Sequence, residues 1–240
     1  MADKGLISVS FGSRLMSISP MKATYLLFCA CLLATPVLAD TAESTSAATP
    51  QDLENAYTVA IERRTDEIMT RLALSDAAKA DKVRKLILAQ YRALRERDSS
   101  IETRMKAGGK DAAATAKERA SMYESMSKPL HEKFLADLSA ELTPEQVDMV
   151  KDRMTYGKVK FTYDAYCQIV PGLKEEEKKK ILELLKQARD EAIDGGSVGQ
   201  KSEIFQKYKD RINAYLDGQG HNTAKAIQDW ETKQAAAKEK

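Results

Sequence analysis

The sequence predicts an all-α protein: a single-domain antiparallel bundle of about six to eight helices. Three observations carry that expectation. Apolar residues recur at helical spacing through most of the chain from Leu53 onward. Two segments, Thr49-Pro50-Gln51-Asp52 and Thr143-Pro144-Glu145-Gln146, spell helix starts. In each, threonine accepts from an orphan backbone N–H, proline fills the first helical position, and an acid or amide follows in the first turn. Finally, no segment reads as a β-hairpin or a strand–helix–strand unit.

The first helix starts at Thr49 and sets Leu53, Tyr57, Ile61, Ile68 and Leu72 on one face. Ser75 is expected to cap a longer second helix with the stripe Val83, Leu86, Ile87, Leu94 and Ile101. Its Arg84, Lys85, Arg92, Arg95 and Arg97 read as a solvated basic face. Gly108-Gly109 breaks it. A third helix begins near Asp111 and passes Met122, Tyr123 and Met126 to Pro129, which either kinks it or starts a new one. Leu130, Phe134, Leu135 and Leu138 continue its apolar face. Beyond the Thr143 cap, Met154, Tyr156, Val159, Tyr163, Tyr166 and Val170 keep helical spacing, although VKFTY also alternates as a short strand would.

Pro171-Gly172-Leu173 turns into a helix whose first turn is Glu175-Glu176-Glu177, where acids suit the positive end of the helix dipole. Its Ile181, Leu184, Leu185, Ala188 and Ala192 face the core, and Asp194-Gly195-Gly196-Ser197 is a polar loop. The helix from Lys201 to Gly220 is the organising element. Ile204, Phe205, Tyr208, Ile212, Tyr215 and Leu216 form its stripe, and Gly218 and Gly220 stop it. Ala226, Ile227 and Trp230 imply a short closing helix, with 233–240 frayed.

The organisation that follows is a signal-peptide region over 1–39 with its true start at Met21, a flexible leader over 40–49, and a helical domain over 50–232. Met21-Lys22, the apolar run Tyr25 to Ala34 and the ending Val37-Leu38-Ala39 before Asp40 have the three parts of a secretory signal. The run is shorter than the roughly 20 residues of a membrane span. Cys29 and Cys31 sit inside it without the small-residue motif of a lipid anchor, so a soluble exported protein, periplasmic or extracellular, is expected. Without residues 1–39 the chain has 35 basic and 35 acidic side chains, since Lys4, Arg14, Lys22 and Asp3 depart with them. A balanced charge gives no reason to expect nucleic acid. Cys167 is then the single thiol, expected to be a buried small hydrophobe, and no disulfide forms within the chain.

The chemistry is narrowed further by what is missing. With only His131 and His221 and no HExxH or CxxC, an ordinary metal site is not expected, and neither is a cofactor. No GxSxG, Walker loop or GxGxxG follows a strand. Glu191 and Asp194 could flank a glycosidic bond, but acid pairs at that spacing are common on exposed helices. What stands out is tyrosine beside hydrogen-bond donors: Tyr156, Tyr163, Arg189, Lys201, Tyr208, Arg211, Asn213 and Tyr215 are the candidate ligand-binding residues. Aromatic faces stack on sugar rings, while arginine and asparagine fix hydroxyls or carboxylates. Arg211 is placed between Tyr208 and Tyr215, with Asn213 one step round. The plainer reading of the same helix is an amphipathic core element with a polar edge.

KDRMTYGKVKFTYDAY from Lys151, the turn PGL, ARDEAIDGGS from Ala188, KYKDRINAYL from Lys207, GQG and Trp230 together resemble a family of secreted bacterial helical proteins. That family is catalogued as a domain of unknown function and labelled as sugar-binding. The resemblance spans roughly Leu53 to Trp230 and departs at Asp210, where the family has glycine. It implies the helical fold and a carbohydrate or similar envelope polymer as partner. LTPEQ at Leu142–Gln146 is also similar to the LTxxQ motif of Spy/CpxP-like periplasmic chaperones. The expected function is therefore an exported, non-catalytic binding protein. A periplasmic chaperone or stress-sensing helper is the alternative, and a lyase or hydrolase the third. Oligomeric state is left open.

If the signal is processed as read, N-terminal sequencing of exported material should begin at Asp40. A lipid-modified Cys29 or Cys31 would overturn that reading.

Overall fold

The computed structural model describes residues 48–108 and 112–238, apart from the side chains of 112–114 and 238. The signal-like segment, most of the leader, Gly109 and the Asp111 helix start lie outside the described residues, which form eight helices and no strand. Helix α1 (Pro50–Leu72) begins at the Thr49 capping box, with Asp52 N donating to Thr49 Oγ1 at 3.2 Å and Thr49 N to Asp52 Oδ2 at 2.9 Å. Helix α2 (Ala77–Ala107) is capped by Asp76, not by Ser75. Its carboxylate accepts from Ala78 N and Lys79 N, and an anion gains from the helix dipole where a hydroxyl does not.

Helix α3 (Ala112–Glu141) runs through Pro129 unbroken, with that residue on its exposed side. Helix α4 (Pro144–Met154) opens on the Thr143 capping box, whose two bonds measure 3.3 and 3.1 Å. The helical spacing expected across Tyr156 is interrupted. Tyr156 and Gly157 both have positive φ, 62° and 64°, and Thr155 Oγ1 turns back to Lys151 O and Asp152 O. Helix α5 (Lys158–Ile169) restarts beyond them, so VKFTY is helical rather than extended. Helices α6 (Glu175–Ala192), α7 (Val198–Gly218) and α8 (Thr223–Lys238) complete the chain, and α8 continues past the expected fraying point at 233.

Two apolar clusters hold these helices. The first joins Ile61 and Ile68 of α1, Val83 and Ile87 of α2, Phe134 and Leu138 of α3, and Val150 and Met154 of α4. The second joins Val159 and Tyr166 of α5, Ile181 and Leu185 of α6, and Phe205, Tyr208, Ile212 and Leu216 of α7. Helix α6 touches both, because Ala192 belongs to the second cluster and the next residue, Ile193, to the first. Two expectations fail here. Leu53, expected inward, is 58% exposed, since no helix packs against the first turn of α1. Cys167 is exposed rather than buried, because α5 turns Tyr166 and Val170 inward instead.

Phe205 is 3% exposed within the second cluster. Phe205→Ala should cost about 3–5 kcal/mol, read as a shift in the urea midpoint. An unchanged midpoint would make α7 peripheral.

Candidate functional site

A buried polar network lies where α2 and α3 meet the α6–α7 loop. Arg97 of α2, expected on a solvated face, is only 2% exposed. Its Nε and Nη2 donate to Asp98 Oδ1 at 2.9 and 2.7 Å, and its Nη1 donates to Ser127 Oγ at 2.9 Å. The guanidinium also lies 4.3 Å from the centre of the Tyr123 ring, within cation–π range. The position was readable: Val83, Ile87, Gln90, Leu94, Arg97 and Ile101 alternate four and three apart, the spacing of an inward seam, and all are buried.

From Asp98 the network crosses to the loop. Asp98 Oδ2 accepts from Gln200 Nε2 at 3.1 Å, and Gln200 Oε1 accepts from Gly196 N at 2.6 Å and Ser197 N at 3.3 Å. Ser197 in turn caps α7. A Cβ at Gly196 would run into the Asp98 carboxylate, and one at Gly195 would stand 2.9 Å from Lys201 Cγ. Glycine is required here by close approach rather than by a left-handed turn. Asp194 receives two α3 groups: Tyr123 Oη donates to its carbonyl at 3.0 Å, and His131 Nδ1 lies 2.9 Å from Oδ2. The other carboxylate oxygen, Oδ1, is buried with no protein partner.

Lys201, 2% exposed, donates to the carbonyls of Ala192 at 3.0 Å and Ile193 at 3.2 Å, closing the end of α6. Burial lowers its pKa to about 8, with Asp194 and Asp98 opposing the shift and Arg64 and Arg97 adding to it. The bond to Asp194 holds the His131 pKa above its ordinary value against the opposing effect of burial. Burial likewise raises the Tyr123 phenol.

Beside this network an open groove of about 890 Å³ separates α3 from α7. Ala116, Arg119, Ala120 and Tyr123 line one wall; Gln200, Glu203, Ile204 and Lys207 line the other, with Glu191 at the end of α6. The floor is apolar and the rim charged. Lys207 Nζ donates to Glu191 Oε1 at 3.1 Å, while Arg119 and Glu203 are exposed and show no ion pair among the described residues.

The candidate residues named from sequence do not form one surface. Arg189 is buried and ties α6 to α4 through Asp148 at 2.9 Å. Lys201 is the buried cap just described. Tyr208 is in the core with the Arg211 guanidinium 4.7 Å over its ring. Asn213 points the other way, accepting from Tyr166 Oη at 2.8 Å, because residues two apart on a helix lie more than half a turn round. Tyr215 and Tyr163 pack half-buried on the second cluster. Tyr156 is 41% exposed beneath Arg64 at the α4–α5 break. Asp210 is exposed and only accepts from Gln206. Among the described residues no group of three or more His, Cys, Asp or Glu could hold a metal ion, and no helix is long and apolar enough to cross a membrane.

These features define an all-helical protein that locks the glycine loop between α6 and α7 against α2 and α3 and leaves a groove beside it. Residues 58–236 match the family described as a protein of unknown function, DUF3826, and the chain belongs to that family. The family description names no ligand. No curated protein matches the chain.

The two shifted bases give stability opposite pH dependences. His131 has a raised folded pKa, so its pairing contributes fully below the unfolded value of about 6.5 and is lost as pH rises through the folded value. Lys201 has a folded value of about 8 against an ordinary 10.5, so stability should rise between those values as the unfolded chain holds the extra proton. Urea midpoints across pH should show both limbs, and His131→Gln should flatten only the first. A variant that keeps the first limb would refute the assignment.

Proposed function

We propose that the protein is an exported binding protein that recognises a carbohydrate or similar envelope polymer along the α3–α7 groove, without catalysing its conversion. The observation that carries this reading is the fixed ring of Tyr123. Its hydroxyl is committed to the Asp194 carbonyl and one face is backed by Arg97, while the ring also lines the groove. An aromatic side chain held in both respects is a stacking platform that loses little entropy on binding. Around it, Arg119, Glu203, Glu191 and Lys207 supply the donors and acceptors that a polyhydroxylated ligand needs.

The titratable groups support binding over catalysis. Lys201, His131 and Arg97 spend their hydrogen bonds on the loop and its supports, leaving no activated base aimed at the groove. On this reading the groove takes the place of the Tyr, Arg and Asn surface expected on α7, whose Arg211 and Asn213 lie on opposite flanks of the helix.

The test is a glycan array on the processed protein, followed by Arg119→Ala and Glu203→Gln. Both residues are exposed, so melting should move by no more than about 0.5 kcal/mol, while affinity for a retained glycan should fall about tenfold for each. Retention of no glycan, or retention that survives both substitutions, would overturn the groove. Suppressed aggregation of an unfolded client in its place would support a chaperone of the Spy/CpxP kind.

A further inference from the structure

A second cleft, of about 280 Å³, opens between α5 and α8 with α7 beneath it. Its chemistry differs from that of the groove. Phe161 is 77% exposed, the largest value among the exposed large apolar side chains, and no helix covers it. Trp230 of α8 lines the same cleft half-buried, so two aromatic rings border one small space. Below them are two donor groups without acceptors. Asn213 uses its carbonyl oxygen for Tyr166 Oη, and its amide NH₂ has no partner among the described residues. The Lys209 ammonium also has no hydrogen bond or ion pair there, and it is half-buried.

An unmatched cation drawn partly out of water is costly unless something anionic joins it. Burial pushes the Lys209 pKa down, nearby Lys158 pushes it further, and Asp210 only partly opposes them. The only carboxylate lining the cleft, Glu231, is exposed on α8. Gln206, also in the lining, spends its amide NH₂ on Asp210 at 2.8 Å and keeps its carbonyl oxygen as an acceptor. The cleft thus offers ring faces, acceptors on Gln206 and Glu231 that sugar hydroxyls can meet, and an ammonium and an amide that lack acceptors. A neutral sugar leaves the ammonium without a counter-charge, whereas a carboxylate presents acceptors and supplies that charge.

We propose that this α5–α8 cleft binds a sugar ring bearing a carboxylate, with the carboxylate on Lys209 and Asn213 and the ring against Trp230 and Phe161. The volume suits one monosaccharide unit. This site stands apart from the α3–α7 groove and does not depend on what the groove binds.

Trp230 is the chain's single tryptophan, so its emission reports on this cleft and not on the groove. Titration with galacturonate should change that emission saturably, with galactose binding about tenfold or more weakly, as expected for loss of a charge-assisted hydrogen bond. Lys209→Met should remove the preference for the acid without lowering the melting temperature, since the ammonium makes no bond in the fold. Arg119→Ala in the groove should leave the titration unchanged. Equal binding of galacturonate and galactose, binding of benzoate but not galacturonate, or an unaltered titration in Lys209→Met would each overturn the proposal.

Discussion

The Arg97 guanidinium is held out of water at the meeting point of α2, α3 and the α6–α7 loop, and the geometry around it depends on keeping that charge matched. Withdrawing an ion from solvent costs several kcal/mol unless geometry and hydrogen bonds compensate. Arg97 is compensated by a carboxylate, a hydroxyl and a ring face. Each partner then constrains something else. Asp98 gives one oxygen to Arg97, leaving the other for Gln200 and through it the Gly196 and Ser197 amides. Tyr123, pinned under the guanidinium, reaches the Asp194 carbonyl. Shifting α2 by one residue would break all of these together.

The helices were largely legible because their signals are local. Both proline-bearing capping boxes formed where Thr49 and Thr143 placed them. The break at Tyr156 was harder, since one glycine inside a helical pattern does not announce a left-handed pair. Arg97 was misplaced because an arginine on a basic helix reads as solvated, although its four-and-three spacing with Val83 and Ile101 marked the seam. The separation of Arg211 from Asn213 was available from helix geometry alone. The contacts that build the candidate site were not available. Tyr123 and Asp194 lie 71 positions apart, and nothing in either local segment specifies the other.

The loop's rigidity follows from its position between the two apolar clusters. Ala192 and Ile193 are neighbours in sequence but pack into different cores, so the end of α6 cannot move without disturbing both. Lys201 binds the carbonyls of those same two residues, and Arg189 fastens the preceding turn to α4. A low-pKa lysine in such a place invites a catalytic reading, because perturbed groups cluster at active sites. Here burial explains the lowered value and the bonds explain the position: the ammonium donates to the carbonyls of Ala192 and Ile193 where α6 ends.

Rigidity at the network contrasts with freedom at the groove rim. The Lys207–Glu191 pair is exposed on both sides, 61% and 41% by side chain, and pairs of that kind contribute roughly 0–1 kcal/mol. Opening it toward a ligand therefore costs little, whereas moving Tyr123 would disturb Arg97 and Asp194 together. The groove combines one fixed aromatic wall with charged side chains that can exchange partners. With basic and acidic groups near balance beyond residue 39, long-range attraction has little part in such recognition. On the proposed reading, selectivity comes from the fit of a ligand face to the Tyr123 ring and from which rim partners its polar groups displace.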